Sequence, residues 1–169
     1  MNPEAQKLNL LGNNAYKKKD YATALKNYGK AIIFEPNEIT YYNNTAAVYF
    51  EMKNFAECIK FCRQACKIGE ENKAQSKSIF KGFERMGRAH EELGDLKMAK
   101  LVFEKAKIFL EKAQKENATS DYEKCLSEIE LAMERCQIKV SQNLEKKLNL
   151  WKQTPRLFQN LKSTFFEIF

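Results

Sequence analysis

The sequence holds little that interrupts a helix and little that performs chemistry. Only three prolines and six glycines occur in 169 residues. That excludes a loop-rich fold, because these two residues are the strongest punctuators of regular structure. A single histidine with no partnered nucleophile supplies no acid–base pair or triad, and no glycine-rich phosphate loop is present. Neither an enzyme nor a cofactor is expected. No apolar run approaches the roughly twenty residues that span a bilayer, so no transmembrane segment is expected. Met1–Gln6 lacks the apolar stretch of a signal peptide. Five cysteines, an odd number, point to a reducing compartment, and a cytoplasmic location is expected. The net charge of +7 favours acidic partners. Nucleic acid is not expected among them, since the basic residues are spread along the chain without a recognised binding motif.

What is present is a repeat. Leu11-Gly12-Asn13-Asn14-Ala15-Tyr16-Lys17-Lys18-Lys19-Asp20-Tyr21 continues through Ala24, Tyr28 and Ala31 to Pro36. It reads as two helices joined at Lys19-Asp20, with Ala24, Tyr28 and Ala31 on one face and Pro36 ending the unit. After about thirty-four residues Gly12 becomes Ala46, Tyr21 becomes Phe55, Ala24 becomes Cys58 and Ala31 becomes Ala65. A further shift, with about seven extra residues, reaches Gly87, Leu96, Ala99 and Ala106. This period with helix-turn-helix content is the tetratricopeptide signature, and three copies are enough for a stable stack.

The predicted fold is all-α: three tetratricopeptide repeats in a right-handed superhelix, at about 5–38, 39–72 and 80–113. Helix four is predicted to end near Gly69 as a C-cap, and the polar segment Glu70–Ser78 to extend helix five at its N-terminal end. Ser120-Asp121-Tyr122-Glu123 reads as a capping box opening a long capping helix over about 120–151. The division is then a repeat domain over 1–152 and an apolar, basic extension over 153–169.

The first helix of each repeat lines the concave side. Asn13 and Asn44 fall at non-core positions there, and Lys81 and Arg85 lie one turn apart on helix five. Two amides, an ammonium and a guanidinium on one concavity suit carboxylates, with the arginine able to bind one bidentately.

At these residues the chain resembles a known family. The first hairpin, the stretch Asn44-Thr45-Ala46-Ala47-Val48-Tyr49-Phe50-Glu51, and Lys81 with Arg85-Met86-Gly87 resemble the two-carboxylate clamp of tetratricopeptide co-chaperones. The likeness is to the central, heat-shock protein 90-binding module of the Hsp-organising (stress-inducible phosphoprotein) family, over about residues 5–115. It implies capture of the C-terminal Glu-Glu-Val-Asp of heat-shock protein 90. Asn13 and Asn44 would hold the terminal carboxylate, and Lys81 and Arg85 the last aspartate side chain. Tyr16, Ala47, Phe50 and Glu51 would shape pockets for preceding residues. One position departs: the family's lysine one turn before Asn13 is Asn9 here. Two other readings stand beside this one, a preference for heat-shock protein 70, and a structural or self-associating scaffold whose groove is filled by an apolar helix.

Cys58, Cys62 and Cys66 recur along helix four at a spacing that suggests a metal site, but they fall at or near the small buried position of the repeat. Packing, not metal, is expected for them and for Cys125 and Cys136. Packing is also expected for His90, which stands where the first two repeats carry Ala15 and Tyr49.

Overall fold

The computed structural model describes residues 2–116 and 121–153. Among them the chain forms seven helices and no strand: α1 (Pro3–Lys17), α2 (Tyr21–Phe34), α3 (Ile39–Glu51), α4 (Phe55–Glu71), α5 (Ser76–Glu92), α6 (Leu96–Lys115) and α7 (Tyr122–Gln153). The first six pair as hairpins α1–α2, α3–α4 and α5–α6, stacked into a tetratricopeptide superhelix with α7 laid along α6.

Each hairpin turn is built the same way. The chain reverses through a left-handed residue, Lys19 (φ 60), Lys53 (φ 56) or Gly94 (φ 76). The following residue donates its N–H back into the helix, Asp20 to Ala15 O, Asn54 to Tyr49 O and Asp95 to His90 O. This pattern satisfies carbonyls the helix end leaves open. Asp20, Asn54 and Asp95 then cap the next helix, accepting through Oδ1 from the N–H groups of Thr23, Glu57 and Met98. One residue thus closes one helix and opens another, which keeps each turn short.

The helices approach closely because small residues sit where they cross. Ala24, Ala31, Ala46, Ala65, Ala99 and Ala106 are fully buried. At Gly12 an added Cβ would lie 2.4 Å from Tyr28 Cε1, and at Gly87 one would lie 2.7 Å from Phe103 Cδ1. These two glycines are the same position in repeats one and three, each taking an aromatic ring of the second helix against its backbone.

The turn between α4 and α5 differs from the expectation. Gly69 is not a C-cap; it lies inside α4, where an added Cβ would meet Ile39 Cδ1 at 2.6 Å and Ile79 Cγ1 at 2.7 Å. The glycine serves packing, and Lys73 (φ 51) takes the left-handed capping conformation. Glu70 and Glu71 therefore lengthen α4, and α5 starts only at Ser76. Its start is held by Glu116, whose carboxylate accepts from Ser76 Oγ at 2.6 Å and Ser76 N at 3.2 Å. A contact forty residues away, not local propensity, sets this boundary.

α7 buries Ile129, Ala132 and Cys136 against the third repeat. Glu91 of α5 accepts from Arg135 at 3.2 Å and Lys139 at 3.1 Å, and Lys107 of α6 donates to Glu130 at 2.7 Å. Ser120 of the predicted capping box and the extension beyond Gln153 lie outside the described residues. No described helix is long and apolar enough to cross a membrane. Cys58, Cys62, Cys66 and Cys136 are buried and Cys125 half-buried. Among the described residues no cluster of three or more His, Cys, Asp or Glu side chains is gathered as a metal ion would need.

Candidate peptide-binding groove

The first helices of the three hairpins each contribute one row of side chains. α1 supplies Asn9, Asn13 and Tyr16, α3 supplies Asn44, Ala47 and Glu51, and α5 supplies Lys81, Arg85 and Arg88. Spacings of three and four keep each row on one helix face.

The amides of α1 and α3 are joined directly. Asn44 Nδ2 donates to Asn9 Oδ1 at 2.8 Å and to Asn13 Oδ1 at 3.3 Å. Asn13 Oδ1 also accepts from the Tyr28 hydroxyl at 2.7 Å. Burial pushes the Tyr28 phenol up to about 12, so it stays a donor at neutral pH. With these carbonyl oxygens engaged from within the protein, what Asn9 and Asn13 offer a ligand is the N–H of their amides. Asn9 and Asn13 accordingly present donors suited to an anion, while Asn44 gives its own N–H groups to them.

α5 joins this surface through Arg85, whose Nη1 donates to Asn43 O at 3.3 Å. Gly82 permits the approach, since a Cβ there would stand 3.2 Å from Asn43 Oδ1 and 2.8 Å from Cys66 Sγ. Tyr16 reports the meeting of all three helices. Burial raises its phenol, the Glu51 carboxylate raises it further and the Arg85 guanidinium opposes both. Lys81 is exposed one turn before Arg85. One turn beyond, Arg88 is paired with Glu84 at 3.2 Å, and burial raises the Glu84 carboxyl despite that partner.

The structure therefore brings Asn9, Asn13 and Asn44 into contact and sets Tyr16 within electrostatic range of Glu51 and Arg85. Ala47 is half-buried on the same row of α3. Phe50 is turned into packing, edge-on to Phe55 with ring centroids 5.5 Å apart. Two supporting residues escaped the sequence reading. Tyr28 was expected only as core, and Asn43 had no assigned part. Neither bears a local signal, since a tyrosine hydroxyl's partner and the use of a backbone carbonyl depend on how the hairpins stack.

The tetratricopeptide repeat family model matches residues 39–72 and 81–107. Over 89 residues the chain is 51% identical to stress-induced-phosphoprotein 1 of Caenorhabditis elegans, covering 53% of this chain and 28% of that one. The solved N-terminal domain of stress-induced protein-1 from C. elegans superposes with a TM-score of 0.63 at 39% identity, covering 77% of this chain and 99% of that domain. The chain belongs to the stress-induced-phosphoprotein family of tetratricopeptide co-chaperones. A TPR2AB-domain:pHSP90 complex of yeast Sti1 also aligns, at 28% identity and a TM-score of 0.63, over 89% of this chain and 56% of that one. This chain spans roughly a quarter of the length of the C. elegans relative.

Proposed function

We propose that this stack of repeats is an adaptor that captures the acidic C-terminal tail of a cytosolic chaperone, Glu-Glu-Val-Asp, with heat-shock protein 90 as the preferred source. Asn13 and Asn44 form the seat of the terminal carboxylate, with Asn13 and Asn9 donating to it and Asn44 orienting both, and Lys81 and Arg85 hold the side chain of the last aspartate. The observation that carries this reading is the amide cluster of α1 and α3, in which the Asn9 and Asn13 carbonyls are occupied from within, so that their N–H groups face an anion while Asn44 orients both. The net charge of +7 supports it by favouring approach of an acidic chain. So does the likeness to a yeast Sti1 domain solved with pHSP90.

The mechanism is recognition without reaction. The amides and Arg85 are held by their own hydrogen bonds, so the ordering cost on the protein side falls mainly on the exposed Lys81. The donors at the chain end are neutral amides, and the formal charge is concentrated at Lys81 and Arg85. A charge-assisted hydrogen bond contributes about 1.5–3 kcal/mol, so most binding energy should reside on α5.

Calorimetric titration with Met-Glu-Glu-Val-Asp, as free acid and as C-terminal amide, tests the reading. Binding of the free acid should weaken by at least tenfold on amidation and on Arg85→Ala. Equal affinity for acid and amide would rule it out. Tighter binding of a heat-shock protein 70 tail would keep the adaptor and replace the named partner.

A further inference from the structure

The outer side of the third repeat carries a cleft of about 310 Å³ that the groove does not use. Residues of α4, α5 and α6 line it. Met86 and Val102 are among them, and Arg63, Lys67 and Lys105 stand around it with one carboxylate, Glu70. His90 lines it too. Its residue is 8% exposed, and neither ring nitrogen has a hydrogen-bond partner among the described residues. Nδ1 lies 3.4 Å from Asp95 Oδ2 without hydrogen-bond alignment. The imidazole is thus a buried polar group beside the cleft whose one near neighbour of opposite charge among the described residues is Asp95.

Comparison of repeats two and three shows what opens the cleft. Moving about forty-one residues along the chain takes Tyr49 to His90 and Phe61 to Val102, in the register that takes Ala46 to Gly87 and Cys58 to Ala99. In repeat two, Tyr49 and Phe61 stack with centroids 5.4 Å apart and an interplanar angle of 21°. Repeat three replaces that aromatic pair with an imidazole and a valine, and the missing ring volume becomes the cavity.

We infer that this cleft, lined by Arg63, Lys67 and Lys105 and by His90, Met86 and Val102, binds a small apolar carboxylate. The apolar body lies on Met86 and Val102 where repeat two has aromatic rings. The carboxylate lies at the rim toward Arg63 and Lys105, since Lys67 is paired with Glu71 at 3.8 Å and Asp95 stands beside His90. The size suits a medium-chain alkyl or single-ring aryl acid, at the small end of ligand cavities.

Decanoate below its micelle concentration is the probe, with 1-decanol and decyltrimethylammonium as neutral and cationic controls, followed by calorimetry and by the ¹⁵N shifts of the His90 ring. Decanoate should bind saturably and move those shifts. The alcohol should bind at least tenfold more weakly, and the cation not at all. His90→Tyr with Val102→Phe restores the repeat-two pair and should abolish binding. Arg63→Glu with Lys105→Glu, which leaves the core untouched, should weaken it at least tenfold and decides the matter should the filled variant not fold. Acidic-peptide titration serves as the control, since its site lies on other residues. Absence of saturable decanoate binding, equal binding of the cation, or binding that survives either double variant would overturn the assignment.

Discussion

Asn44 donates through Nδ2 to Asn9 Oδ1 at 2.8 Å, so Asn9, the one position that departs from the resemblance, is tied into the amide cluster of α1 and α3. It holds Asn44 in place while adding no charge. Asn9→Lys should tighten binding of a free-acid Glu-Glu-Val-Asp peptide by about tenfold or more, following the value of a charge-assisted bond. It should also steepen the loss of affinity with added salt. Asn9→Ala should weaken binding by removing the Asn9 amide and leaving the Asn44 side chain less fixed. Titrations at two salt concentrations read both effects, and unchanged affinity in the lysine variant would separate this position from the ligand.

Gly12 and Gly29 should respond oppositely to alanine. A Cβ at Gly12 meets the Tyr28 ring at 2.4 Å, and that ring is tied through its hydroxyl to Asn13. Gly12→Ala should cost about 1–3 kcal/mol and lower peptide affinity as well, because Tyr28 cannot shift without moving Asn13. A Cβ at Gly29, within α2, meets nothing within 4 Å. Gly29→Ala should stabilise by about 0.5–1 kcal/mol, the usual helix-interior difference. Thermal melts of the two variants check both signs.

Lys53 ends α3 at φ 56, a conformation that Gly94 supplies without strain at the matching turn of repeat three. A side chain in the left-handed region costs about 1 kcal/mol or more relative to glycine. Lys53→Gly should therefore raise the melting temperature by a few degrees, and Gly94→Ala should lower it. A chemical-denaturation midpoint that moves the wrong way for either would show that the turn is held by something other than its capping hydrogen bonds.

Glu91 ties α7 to the third repeat. Burial alone would raise its carboxyl, but hydrogen bonds from Arg135 and Lys139 outweigh burial and hold it below the ordinary range. A carboxyl depressed on folding adds stability that is complete above its unfolded pKa of about 4.3 and is lost as pH falls through the lower folded value. Docking of α7 should therefore weaken in acid, read as faster amide exchange over Ile129–Val140 below about pH 4. Glu91→Gln should show the faster exchange already at neutral pH, with little further change on acidification.

The sequence by itself determined the repeat, its register and the helix faces. Glycine, alanine and aromatic residues recur at fixed intervals, and side-chain spacing on a helix follows from its pitch. Asn13, Asn44, Lys81 and Arg85 could be assigned to a shared concavity on those grounds alone. Only the tertiary structure decided what Asn13, Asn44 and Arg85 bond to. Asn13 turns its carbonyl to Tyr28 and Asn44, and Arg85 reaches Asn43, because hydrogen-bond partners between stacked hairpins depend on distances no interval encodes. The boundary between α4 and α5 was decided the same way, with Gly69 taken by packing against Ile39 and Ile79 and the start of α5 fixed by Glu116. Local patterns specify elements; the contacts that trim and join them come from residues far apart in the chain.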